Sequence, residues 1–354
     1  MAYGTVNAEQ MTTQSGFTLG AGNASSFKNR VINGNFLINQ RNGSSAVTTS
    51  ALQSATYFSD RWYYYVDVIN KMSLTQSTDA PSGFTSSNLV TVLATDSVGP
   101  EQMVRQSIEG YNIADLGWGT ANAKPIVLSF WVKSSITGTF GGSLQSNNSG
   151  VSYPFLYTVN ATNTWEQKFV YVTGPTTGSF GTTNNTGALI SFEFGPGYQA
   201  ATANAWTATN STTATGASNF CSNAGATIRI TGVQFEVGTV ATSFDFRSYG
   251  TELALCQRYY VNYAGQNFAM NPSGSNGQNS NVAWNFSVPM RAAPTASSIT
   301  GIVSSYFTAY TISSASLSTS SVAVTYLVST LSALPGYSSW LYLALTTCSI
   351  SAEL

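Results

Sequence analysis

Residues 125–133 read PIVLSFWVK, and their side chains alternate. Ile126, Leu128, Phe130 and Val132 fall on one side of an extended chain, with Ser129, Trp131 and Lys133 on the other. A period of two is the pattern of a strand with one face against a core. The pattern recurs in GALISFEFG (187–195), where Ile190, Phe192 and Phe194 take the inward phase and Ser191 and Glu193 the outward one. In RWYYYVDV (61–68), Trp62, Tyr64, Val66 and Val68 alternate with Tyr63, Tyr65 and Asp67. NLVTVLAT (88–95) and QKFVYVTG (167–174) add further strands, and clusters of Gly, Asn, Ser and Pro separate them all. Many short alternating runs predict antiparallel sheets with one buried face each. The fold class is therefore all-β: a β-sandwich or jelly roll over residues 29–250, followed by a smaller C-terminal β-sandwich domain.

The last strand of the sandwich carries an irregularity. Ile228 and Ile230 keep the even phase, whereas Val233, Phe235 and Val237 keep the odd one, so the pattern slips at Thr231-Gly232. A slip of one at a glycine predicts a β-bulge. Phe244 and Phe246 then resume inward alternation, with Asp245 and Arg247 as an outward ion pair. In TELALCQRYY (251–260), Leu253, Cys256 and Tyr260 are at helical spacing, with Thr251 as cap, Glu252 in the first turn and Arg258 in the last. This short helix and a Gly/Asn/Ser linker fill residues 251–280. Beyond them, 281–354 shows strand alternation at Trp284, Phe286 and Val288, at Val322, Val324, Tyr326 and Val328, and at Leu341, Leu343 and Leu345. So short a domain has a small core, which self-association would enlarge. On a three-fold axis, Leu253, Cys256 and Tyr260 would meet their own copies. Residues 1–28 are polar and aperiodic, and read as a segment that orders against a partner; plain terminal disorder fits the composition equally.

Composition narrows the function. The chain has 354 residues, 8% charged, 43% hydrophobic and 13% aromatic, with a net charge of -1. Its surface must be made of hydroxyls and amides, and it has no cationic footprint for nucleic acid. No apolar stretch approaches the ~20 residues that span a bilayer, and the first residues have no secretory leader pattern. There is no histidine. That removes the commonest general base and the commonest zinc ligand. Cys221, Cys256 and Cys348 are scattered and read as small buried hydrophobes.

Carboxylates are then the remaining candidates for a catalytic pair: Glu101, Glu109, Asp115, Glu166, Glu193, Glu236, Asp245 and Glu252. No spacing singles out two of them, so the chain reads as no enzyme. Loops 137–153 and 196–225 are long enough to be functional. Tyr153, Tyr157, Tyr198 and Trp206 lie in or beside these loops, among amides and hydroxyls, and Trp118 lies in the turn LGWGTANA (116–123). Aromatic rings beside short polar groups suit a sugar, which has an apolar face and a hydroxyl rim. The alternative is that each ring anchors its loop. For cofactors the expectation is none, apart from a structural calcium: Asn33 and Asn35 of NGNF, with Glu236, offer oxygen ligands of the kind calcium takes, although Asn33-Gly34-Asn35 also reads as a plain turn.

Several blocks in order carry a resemblance: FKNRVINGNFLINQRNG (27–43), YFSDRW (57–62), QSIEGYNIADLGWGTANAKPIVLSFWVKSSITGTFGGSL (106–144), TWEQKFVYVTG (164–174) and residues 230–260. They resemble tail-fibre and related virion proteins of tailed bacteriophages, including those of cyanobacteria and other aquatic hosts, with a jelly-roll module like that of carbohydrate-binding modules. The resemblance covers about 28–262, and the opening MAYGTVNAEQ and the later VPMRAAPT are similar to such proteins too. It implies an external, homotrimeric fibre made in the host cytoplasm and released by lysis. Residues 1–28 would be held by a tail or adaptor protein, and a host-surface polysaccharide would be the target. A head fibre or capsid decoration protein is the alternative, and a glycan-cleaving tail spike the third reading.

Overall fold

A computed structural model describes residues 10–12, 18–20, 28–48, 52–97, 101–147, 150–264, 267–270, 279–303, 307–331 and 341–354. Two compact units divide it: residues 1–248 with Leu354, and Tyr249–Glu353. The expected virion-anchoring segment lies outside the described residues, apart from Lys28 and two short paired strands, β1 (Gln10–Thr12) and β2 (Thr18–Gly20).

The first unit continues with β3 (Val47–Thr48), β4 (Thr56–Ser59), β5 (Trp62–Val66), β6 (Met72–Ser77), β7 (Ser87–Val92), β8 (Gln102–Glu109) and β9 (Ile126–Ser134). β10 (Gly138–Gln145), β11 (Ser152–Val159), β12 (Glu166–Val172), β13 (Thr186–Glu193) and β14 (Thr227–Val237) complete it. They form two six-stranded antiparallel sheets, ordered β11-β10-β13-β8-β5-β4 and β12-β9-β14-β7-β6-β3. From β7 to β10 and from β11 to β14 each strand lies in the other sheet from the one before it. That winding is a jelly-roll sandwich.

The core lies between the sheets where the alternation puts it. Ile126, Leu128, Phe130 and Val132 of β9 face Ile190 and Phe192 of β13, and the Phe130 and Phe192 rings meet edge to face at 4.9 Å. Trp62, Tyr64 and Val66 of β5 are buried with them. The β14 bulge is present: its register against β9 shifts between Thr231 and Gln234, with Gly232 at φ +61°. Ile228, Ile230, Val233 and Phe235 all reach the core across it.

Three expectations need correction. Sheets with a single buried face were expected, yet every residue of β8 and β13 is buried, Ser191 and Glu193 included. The reason is that residues 196–217 pack over the outer side of the first sheet. There Ala201 and Thr212 donate backbone N–H groups to Thr213 and Tyr198, and Ser152 of β11 exchanges backbone hydrogen bonds with Thr207. Second, Phe244 and Phe246 are not in a strand, and Phe246 is exposed. Their rings pack on each other and on Phe84, and the Asp245–Arg247 pair spans 3.8 Å beside them. Third, the helix α1 runs Tyr249–Gln257, so Thr251 lies inside it and not at its cap.

The second unit opens with α1, whose buried residues are Glu252 and Cys256, and continues into β15 (Tyr260–Asn262). Its other strands are β16 (Asn267–Met270), β17 (Asn279–Asn285), β18 (Thr295–Val303), β19 (Phe307–Leu317), β20 (Ser321–Leu331) and β21 (Leu341–Ser351). β15, β16 and β18 pair with β21, and β17 and β19 with β20, all antiparallel. Trp284, Phe286, Val322 and Ile350 are buried. The side chains of Val324, Tyr326, Val328, Leu341, Leu343, Leu345 and Cys348 lie outside the described residues. Among the described residues, no helix is long and apolar enough to cross a membrane.

Candidate functional site

The strand register builds a polar site on the outer side of the first sheet. Arg105 of β8 stands opposite Ser191 of β13, which itself stands opposite Ser143 of β10. Alternation sends Val104 and Ile108 to the core and Arg105 to the other face. Its Nε donates to Ser191 Oγ at 2.8 Å and its Nη2 to Gln145 Oε1 at 2.9 Å. The guanidinium lies over the Tyr65 ring, 5.2 Å from the centroid. Gln145 is fixed in turn by donating to the Ser211 carbonyl at 3.0 Å. Arg105 is only 9% exposed.

A pocket of about 220 Å³ opens here, lined by Tyr65, Glu101, Arg105, Gln145, Ser146, Asn147, Leu189, Tyr198 and Asn210. Tyr198, at 42% exposed, is its most open aromatic ring. Thr212 holds the Tyr198 backbone from both sides: its Oγ1 accepts the Tyr198 N–H at 2.8 Å, and its own N–H donates to the Tyr198 carbonyl at 3.0 Å. Burial, then Asp67, push the Glu101 carboxyl up, while Arg105 pulls it down. Burial, then Glu101, raise the Tyr65 phenol. The pocket thus offers donors, an acceptor carboxyl and one stacking ring, the set that orients a polyhydroxylated ligand.

The other carboxylates have structural partners or are sealed off. Glu193 is buried, and its Oε1 accepts the N–H groups of Gln102 and Gly195. Burial outweighs those bonds and pushes its carboxyl up to about 7. Asp115 pairs with Arg30 at 2.9 Å, Glu166 with Lys168 at 2.6 Å and Asp245 with Arg247. Glu109 and Glu252 are buried.

Of the five aromatic residues expected to stack a sugar, only Tyr198 reaches the pocket. Trp118, Tyr153 and Tyr157 are 7%, 3% and 4% exposed and belong to the core, with Trp206 packed against it. Trp118 is a hub whose ring lies 5.2 Å from Phe180, 5.6 Å from Trp206 and 5.6 Å from Phe235. Its Nε1 donates to the Lys124 carbonyl, Trp206 Nε1 to the Thr173 carbonyl, and the Tyr153 hydroxyl to the Tyr171 carbonyl. The polar handles of Trp118, Tyr153 and Trp206 are spent on holding loops. Trp118, Tyr153 and Tyr157 are buried and have no free face for a sugar, and the half-buried Trp206 does not line the pocket.

The expected calcium ligands do not form a cage. Asn33 Oδ1 accepts the Ile38 N–H, while its Nδ2 donates to the Ile38 and Asp60 carbonyls. Glu236 Oε1 accepts from Gln234 Nε2 and the Thr242 N–H, and its Oε2 accepts from Thr242 Oγ1. These oxygens face N–H and O–H donors, which a cation would have to displace, and Asn35 is only half-buried at the turn between them. Among the described residues, no group of three or more Asp, Glu or Cys is placed to hold a metal. In the helix region, Cys256 and Tyr260 are buried within the chain itself and have no surface to offer a trimer axis; Leu253 is half-buried.

Arg105, Asn147 and Asn210 were not singled out by the sequence, and Tyr65 appeared there only as an outward strand residue. The signal was an arginine beside Val104 in a strand, EQMVRQSIEG, that is buried along its whole length, in a chain with only 13 basic residues.

No protein-family model and no curated protein matches the sequence. Among solved structures, the chain is similar to the enzymatically active domain of tailspike protein 4 of bacteriophage CBA120, at 18% identity and a TM-score of 0.33, covering 60% of this chain and 22% of that one. It is also similar to a sugar-binding protein of Bacteroides thetaiotaomicron, at 10% identity, a TM-score of 0.34, and 60% and 100% coverage. A family 11 carbohydrate-binding module of Clostridium thermocellum, solved with a mixed-linked tetrasaccharide, gives 11% identity, a TM-score of 0.28, and 56% and 99% coverage. Each score lies below 0.5, and the fold assignment stands on the two sheets themselves.

Proposed function

We propose that this chain is a non-catalytic fibre protein of a tailed-phage virion, whose sandwich binds a host-surface glycan in the pocket between Arg105 and Tyr198. The observation that carries the binding half is the pocket: an open tyrosine ring and guanidinium, amide and hydroxyl groups line one cavity of about 220 Å³. That volume matches one or two sugar rings, with an aromatic face for the C–H side and polar groups for the hydroxyls. The ordered blocks between residues 27 and 260 support the virion half, together with a surface poor in charge. On this reading residues 1–28 attach the fibre to the virion, and the chain is a homotrimer. Binding of the purified protein to an array of neutral and acidic bacterial polysaccharides tests the proposal. Tyr198→Ala is expected to weaken binding about tenfold, because base-type stacking on one ring contributes on the order of 1 kcal/mol. A folded protein that binds nothing on the array overturns the receptor role.

A further inference from the structure

We infer that the glycan in this pocket is an acidic one, and that Arg105 receives the carboxylate of a uronic-acid residue. The inference rests on the pocket being the glycan site. A guanidinium carries five N–H donors, and in Arg105 only Nε and Nη2 have partners, Ser191 Oγ and Gln145 Oε1. Both partners are neutral. Among the described residues, Nη1 has no hydrogen-bond partner and no carboxylate lies within 4.0 Å of Arg105.

That is unusual for an arginine so buried, because charged groups leave water only when paired. Three other arginines do have a carboxylate: Arg30 has Asp115 at 2.9 Å, Arg229 has Asp79 at 3.3 Å and Arg247 has Asp245 at 3.8 Å. Arg105 instead spends its Nε and one Nη2 hydrogen on fixing its own plane above Tyr65. The Nη1–Nη2 edge is left for a ligand, and two N–H groups on one edge match the two oxygens of a carboxylate. Glu101 also lines the pocket and feels the Arg105 charge from beyond ion-pair range. Toward an acidic sugar Glu101 is a like charge, whereas toward a neutral sugar it is a hydroxyl acceptor. The two ligand classes therefore make opposite demands on it.

The test is calorimetric titration of the full chain with galacturonic-acid and glucuronic-acid oligosaccharides and with their neutral galactose and glucose counterparts. The acidic members are expected to bind at least tenfold more tightly than the neutral ones. Raising salt from 0.05 to 0.5 M, both concentrations being experimental settings of roughly that size, weakens only the acidic series. Arg105→Gln abolishes the preference, Arg105→Lys retains part of it, and Glu101→Gln strengthens acidic binding severalfold. Equal binding of both series, or a Glu101→Gln that weakens binding, overturns the inference while leaving the glycan-binding reading intact. Binding of neither series overturns that reading itself. Where Arg105→Gln does not fold, the salt titration and Glu101→Gln still decide.

Discussion

Glu193 occupies the outward phase of β13, where the alternation in GALISFEFG predicts solvent, and the residues packed over it enclose it instead. Its carboxyl protonates at about 7 in the fold against an ordinary 4.5. Between those values the folded chain holds a proton that the unfolded chain has released. Stability is therefore greatest below about pH 4.5 and declines as pH rises to about 7 through this group. Thermal melting from pH 5 to 8 should show that decline in the wild type and lose it in Glu193→Gln; an unchanged slope in the variant would remove Glu193 as its source. Arg105 teaches the same lesson. Its outward position was readable from spacing, but its partners Ser191 and Gln145 sit 86 and 40 residues away, beyond any local pattern. Gly232 is the opposite case, because a one-residue slip in an alternating strand has a local cause and a local signature.

Elements differ in how firmly their phase is written. β9 and β14 each place four apolar residues on one face, and the structure buries all of them. α1 is short, and Leu253, Ala254, Leu255 and Cys256 are consecutive, so helical spacing did not fix which side turns inward. Glu252 and Cys256 are buried, and Leu253 only half so. Loop aromatics were harder still, since an anchoring ring and a ligand platform have the same sequence appearance. Trp118 and Trp206 prove to be anchors that fasten residues 110–125 and 196–217 to the core. Trp118→Ala is expected to cost about 3–5 kcal/mol in urea denaturation, as removal of a buried indole does. Glycan binding by the fraction that remains folded should persist. A stable variant that loses binding would return Trp118 to the site.

At the scale of the whole molecule, the buried core cluster lies between Val31 and Val237, wholly within the first unit. Homotrimer formation belongs to the proposed fibre. Sedimentation equilibrium at micromolar concentration should return three times the chain mass, and a monomer would refute it. Leu253→Asp should dissociate the trimer if α1 lies on the axis, and a persistent trimer would move the contact elsewhere. Sequence alone was enough for the all-β class, the inward residues of the main strands, the bulge at Gly232 and the absence of any histidine to act as a base or ligand. These follow from period-two patterning and composition, which act over a few residues or over the whole chain at once. The tertiary structure was needed to show which outward face is covered, which aromatic ring opens into the pocket, and that Arg105 there has no carboxylate within ion-pair distance among the described residues. Those depend on strands 40 to 90 residues apart meeting in one sheet, and on the path of one loop across it.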